Sequence, residues 1–135
     1  MSDESAAIRN VWQQYTDAVN GGDIAKYGAT LTNDIVFHAP DQPPINGMAS
    51  VQKWFKESWL DTTTSRKLSF KLEEIETLGA WAFARGQFTV TVTWKTGGKQ
   101  DISGNFLNVF RRQSDSSWKF ARVSFNFDKP FVPSQ

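Results

Sequence analysis

The chain has no cysteine, which excludes disulfide staples, thiolate nucleophiles and cysteine-held zinc or iron–sulfur sites. Its single histidine, His38, excludes a multi-histidine metal cluster, and neither a metal nor an organic cofactor is expected. An excess of one charge is missing too. Fifteen Lys and Arg against fourteen Asp and Glu leave +1, so neither nucleic acid nor an anionic membrane is an expected partner. No apolar run approaches the ~18–20 residues of a membrane span, and MSDESAAIRN has no basic-then-apolar leader, so a cytoplasmic location is expected. At 135 residues the chain fits the length of roughly 100–200 residues per domain, and one domain over 1–135 is expected. What it has in excess is rings: eleven Phe, six Trp and two Tyr. Such side chains are worth roughly 25 cal/mol per Å² of apolar area buried. They line ligand pockets as readily as cores, and their positions must decide which.

The first third is patterned as helix. Asp3 and Glu4 suit a helix N-terminus, and Ile8, Val11, Trp12, Tyr15 and Val19 recur at three- and four-residue steps. Asn20-Gly21-Gly22 stops that helix, since glycine takes a left-handed cap freely. Asp23 caps a second helix with the stripe Ile24, Tyr27 and Leu31, ended by Asn33-Asp34. Ile35 to Ala39 is a short strand running into Pro40 and a stiff loop. Val51, Trp54, Phe55 and Trp59 return to helical spacing, and Asp61 to Arg66 is a polar linker. The rest alternates as strands. Leu68, Phe70 and Leu72 come first; Phe88, Val90, Val92 and Trp94 follow, with threonines between them. A turn at Thr96–Lys99 leads to strands over Ile102–Arg112 and Trp118–Phe127. Helices segregated from antiparallel strands mean α+β.

A first helix carrying Tyr15, an Asn-Gly-Gly-Asp stop, a strand ending in Ala39-Pro40, then Asn46-Gly47 and an aromatic helix resembles the NTF2-like superfamily. Asn108-Val109-Phe110-Arg111-Arg112 and Ser117-Trp118-Lys119-Phe120-Ala121-Arg122 look like its SnoaL-like and DUF4440-type members, and the likeness runs from about Ser5 to Asp128. It implies a cone in which three N-terminal helices pack on a curved antiparallel sheet around an apolar pocket. It also implies a homodimer through the outer sheet face. Folds of this kind host isomerases, polyketide cyclases and non-catalytic binding modules alike.

By the same resemblance, distantly similar ketosteroid isomerases use a first-helix tyrosine as oxyanion donor, matched here by Tyr15, and an aspartate before a proline as base. Ala39 occupies the base position and cannot take a proton. His38 precedes it and would reach the pocket only if a bulge turned it inward, where an imidazole suits proton transfer. Asn108 supplies a neutral donor and acceptor if Phe106, Asn108 and Phe110 face inward. Each has a plainer alternative: a core phenol, a strand-end imidazole, a strand amide. Phe55 stands where isomerases often carry a second tyrosine that supports the first. The expected pocket wall is Trp12, Val19, Trp54, Phe55 and Trp59 from the helices. The strands add Phe88, Val90, Val92 and Trp94, then Phe106 and Phe110, then Val123, Phe125 and Phe127. Phe120, Arg122, Ser124 and Asn126 are expected on the outer face. The expected partner is a small hydrophobic carbonyl compound, turned over by an isomerase- or cyclase-type enzyme without a cofactor; the alternative is a binding or dimerisation module without chemistry.

Overall fold

The computed structural model describes residues 3–130. Three helices pack on a sheet whose strand order is β2-β1-β6-β5-β4-β3. α1 (Asp3–Gly21) buries Ile8, Val11, Trp12 and Val19; the capping role expected of Asp3 lies outside the described side chains. The helix ends as its glycines require. Gly22 adopts φ +66°, and backbone bonds from Gly22 to the Val19 carbonyl (3.2 Å) and from Asp23 to the Ala18 carbonyl (3.0 Å) close the last turn. Asp23 then caps α2 (Ile24–Ala29) by accepting from the Lys26 amide.

Leu31 departs from the helical stripe expected of it. α2 is a single short piece, and the Phe120 amide donates to the Thr30 carbonyl at 2.8 Å. Pairing with the last strand therefore draws Leu31, Asn33 and Asp34 into β1 (Leu31–His38). β1 lies parallel to β6 (Trp118–Phe127), and the two-residue β2 (Ile45–Asn46) flanks its other edge. α3 (Met48–Phe55) continues into a π-helical turn at Lys56–Leu60. The expected polar linker is instead mostly strand. Thr62 and Thr63 donate their hydroxyls to the Trp59 carbonyl, and β3 (Thr63–Leu78) begins at once. β3, β4 (Trp81–Trp94), β5 (Lys99–Arg112) and β6 form the antiparallel meander.

Two features shape this sheet. Gly86 on β4 faces Phe106 on β5, and Phe88 on β4 faces Gly104 on β5. A β-carbon at Gly86 would collide with the Lys71 carbonyl oxygen and stand 2.9 Å from the Phe106 ring; one at Gly104 would collide with the Asn126 carbonyl oxygen and stand 2.8 Å from Phe88. Each glycine thus leaves room for a ring from the neighbouring strand to lie across it. The second feature is a bulge. Val109 pairs with Arg122 but Phe110 pairs with Phe120, so Ala121 is an extra residue in β6. Phe120, expected on the outer face, is therefore turned inward and fully buried along with Val123, while Arg122 and Ser124 stay exposed.

At the outer edge of the sheet, the Asn20 side chain accepts from the Leu68 amide (2.7 Å) and donates to the Leu68 carbonyl (3.3 Å). Across the outer face, Arg111 reaches Asp34 on β1 at 2.8 Å and covers the Trp81 ring, and its hydrogen bond holds the Asp34 carboxyl down at about 2. No helix among the described residues is long and apolar enough to cross a membrane.

Replacing Gly86 by alanine forces Lys71 or Phe106 aside. Chemical denaturation of Gly86→Ala should show a stability loss of about 1–3 kcal/mol; an unchanged midpoint would mean that the close approach is slack.

Candidate functional site

The helices close over the inner sheet face and leave a cavity among the rings. α1 contributes Trp12, Tyr15 and Val19; α3 and its π-turn contribute Trp54, Phe55 and Trp59. β4 adds Phe88 and Val90, β5 adds Phe106 and Asn108, and β6 adds Val123, Phe125 and Phe127. All of these were expected from the sequence. The half-buried rings of Trp54, Trp59, Phe88, Phe125 and Phe127 form the outer wall. The space between the lining atoms amounts to about 720 Å³ with the open mouth included, and about 90 Å³ of it admits the centre of a water molecule. At ~30 Å³ per water, the inner part has room for roughly three waters, and a ringed compound would also occupy the open mouth.

Four expected residues lie elsewhere. Val92 and Trp94 pack with Val90 and Ile102 in a separate cluster beyond the cavity, with Trp94 stacked on Trp59. Phe110 is fully buried against Phe120, 4.6 Å between ring centres, and fills core rather than lining space. His38 is exposed at the end of β1. The irregularity in that strand falls between Leu31 and Val36, and from Val36 to His38 the pairing with β6 is regular. Alternation therefore sends the imidazole outward.

Four lining residues were not expected: Tyr27, Arg66, Leu68 and Phe120. Tyr27 looked like core spacing, Arg66 fell in the segment taken for a linker, and the Phe120 bulge leaves no mark in the sequence.

Tyr27 changes the chemistry of the site. Its hydroxyl lies 3.2 Å from that of Tyr15, and its ring is stacked flat on Phe55, 4.1 Å apart and 9° from parallel. The phenol partner that Phe55 lacks is thus supplied from α2. Burial pushes Tyr15 up to about 12, outweighing the hydrogen bond from Tyr27; burial first, then the neighbouring phenol, raises Tyr27 well above its ordinary value. Both stay neutral over ordinary pH. Two hydroxyl hydrogens are present and one is used between the rings, so the other is free to point at a guest.

Asn108 is the third polar group. Its Oδ1 accepts from the Ser124 amide at 3.2 Å, which fixes the orientation of the side chain. Among the described residues its buried Nδ2 has no hydrogen-bond partner, and neither does the buried indole Nε1 of Trp12. No Asp, Glu or His appears among the lining residues, and among the described residues no three such side chains group as metal ligands.

Residues 12–120 match the SnoaL-like domain. The chain belongs to that family. Solved structures agree on the fold. A ketosteroid isomerase-like protein from Erwinia carotovora atroseptica is 27% identical with a TM-score of 0.83, over 96% of this chain and 100% of its own. An NTF2-like superfamily protein from Salmonella enterica is 17% identical with a TM-score of 0.83, over 96% of each chain. A type 2 hexachlorocyclohexane dehydrochlorinase is 13% identical with a TM-score of 0.81, over 98% of this chain and 89% of its own. No curated protein sequence matches the chain significantly. This SnoaL-like chain therefore has the NTF2-like cone, and departs from the isomerase pattern at Ala39.

The raised tyrosine has a measurable consequence. Tyr15 ionises near 12 in the folded chain against ~10 when unfolded. The folded state holds that proton more tightly, so stability is unaffected below about pH 10 and falls as pH rises towards 12. Urea midpoints measured from pH 9 to pH 12 should fall more steeply for the unaltered chain than for Tyr15→Phe. Parallel curves would place the phenol in water.

Proposed function

We propose that this SnoaL-like chain binds a small, flat, largely apolar carbonyl compound of one or two rings. Its oxygen would be polarised between the Tyr15–Tyr27 hydroxyl pair and Nδ2 of Asn108. The observation that carries this reading is the unpartnered Nδ2 of Asn108 in a wall made mostly of rings. A buried donor left without an acceptor costs about 1–3 kcal/mol, and a guest oxygen would recover it. Neutral donors in a dry cavity also stabilise negative charge as it develops on that oxygen, which eases removal of a proton from the adjacent carbon. This is isomerase- or cyclase-type chemistry without a cofactor. With no carboxylate or imidazole in the wall, the proton leaves to water at the mouth or to a basic group on the substrate itself. The same lack of a side-chain base favours a second reading, a binding module that holds its guest without turning it over.

The ketone 1-indanone separates the two. Nuclear magnetic resonance in heavy water reads both its binding and the exchange of its α-hydrogens. Faster exchange with the protein supports catalysis, binding at the uncatalysed rate supports the module, and no binding overturns the carbonyl reading. Asn108→Leu should weaken binding by about 1–2 kcal/mol. Its melting temperature should move little, because losing the orphaned donor offsets the partner lost by the Ser124 amide.

The outer sheet face supports pairing with a second copy of the chain. Leu107 and Trp81 are exposed there beside the threonines of β4, and apolar side chains on an exposed face gain by association. Native mass spectrometry should give twice the chain mass; a single-chain mass at micromolar concentration would overturn the pairing.

A further inference from the structure

We infer that the guest is an anion, and that Arg66 receives its carboxylate; this rests on the carbonyl-binding reading above and narrows its substrate class. Arg66 is the one cationic residue of the cavity wall. β3 carries it under the end of α1, where its Nε donates to the Val19 carbonyl at 3.0 Å and its Nη1 donates to the Thr63 hydroxyl at 2.7 Å. Both acceptors are neutral. Among the described residues no carboxylate lies within ion-pair distance of it; the ion pairs found join Lys56 to Asp61, Arg85 to Glu74 and Arg111 to Asp34. Its Nη2 packs against Gly22, where a β-carbon would stand 3.0 Å away. The side chain is thus fixed by two bonds and keeps its charge uncompensated in a wall of rings. Partial burial draws its pKa below the usual guanidinium value, as expected of a cation partly removed from water.

A desolvated charge gains most from a partner that is itself charged. The chemistry of the wall selects which anion. A guanidinium with part of its fork already used, surrounded by apolar surface, suits the single charge and planar oxygens of a carboxylate; a phosphate dianion would need further donors. The two recognition points are also separate. Arg66 is tied to Val19, one helical turn along α1 from Tyr15, which bears the phenol. A guest that meets both must carry its carbonyl and its carboxylate at different ends. The plainer role is that Arg66 only satisfies a carbonyl at the negative end of α1.

Isothermal titration of 4-acetylbenzoate and of its methyl ester distinguishes these roles. The two probes share ring and ketone and differ only in the charged end. The unaltered chain should bind the acid about ten-fold more tightly than the ester. The preference, read as the ratio of acid to ester affinity within each variant, should vanish in Arg66→Met and survive in part in Arg66→Lys, with folding checked by melting curves. Should Arg66→Met fail to fold, the acid–ester comparison in the unaltered chain and in Arg66→Lys still decides. Equal binding of acid and ester, or a preference kept in Arg66→Met, overturns the anion inference and leaves the carbonyl reading standing. Failure of both probes to bind the unaltered chain overturns both.

Discussion

The interior stays hollow because of a reciprocal packing rule between two central strands. Phe106 lies across Gly86 and Phe88 lies across Gly104, so at these two levels of the β4–β5 pair one strand supplies a ring and the other supplies the space for it. A pair of rings at one level would fill the interior; a pair of small residues would let the helices collapse onto the sheet. The bulge at Ala121 acts in concert with this. By shifting β6 one residue, it brings Phe120 to the same side as Val123 and Phe125, so the third strand also turns its rings inward. Everything the site offers a guest is arranged on the surface that results.

On that surface polarity is sparse and placed by backbone demands. Asn108 faces inward because its oxygen answers the Ser124 amide, which leaves the other end of the amide facing the cavity. Tyr27 is held by its stack on Phe55, and through the shared hydrogen bond it steadies Tyr15. Arg66 is steadied by Val19 and Thr63. In each case a group whose position is set by structure has one donor to spare. Such preorganisation costs a guest little ordering on binding.

Much of this was legible from residue spacing. The stripe on α1, the glycine stop, the alternation in β4 and the ends of β6 follow from periodicity and turn chemistry, and the resemblance to the NTF2-like superfamily then assigned them to a pocket wall. Tertiary pairing hid the remainder. Leu31 has helical spacing behind Tyr27, but the amide of Phe120 claims the backbone just before it. Thr62 and Thr63 have loop composition, yet their hydroxyls close the π-turn and let a strand begin. A bulge changes the face of a side chain without changing any residue type, so Phe120 could not be placed from alternation. His38 was the reverse case, since regular alternation put it outside and no irregularity intervened. The importance of Tyr27 and Arg66 depends on partners far along the chain.

The amide of Asn20 has a consequence for how this molecule lives at high concentration. β3 is the longest strand and lies at the margin of the sheet, a place where unsatisfied backbone groups invite recruitment of foreign chains. By engaging both the amide and the carbonyl of Leu68, Asn20 mimics one rung of an absent neighbour. An incoming segment finds that rung occupied part-way along and cannot zip past it. The lysines at positions 67 and 71 flank the same stretch and add charge that a growing fibril would have to bury. One side chain at a helix end thereby guards the fold's most exposed ladder against polymerisation.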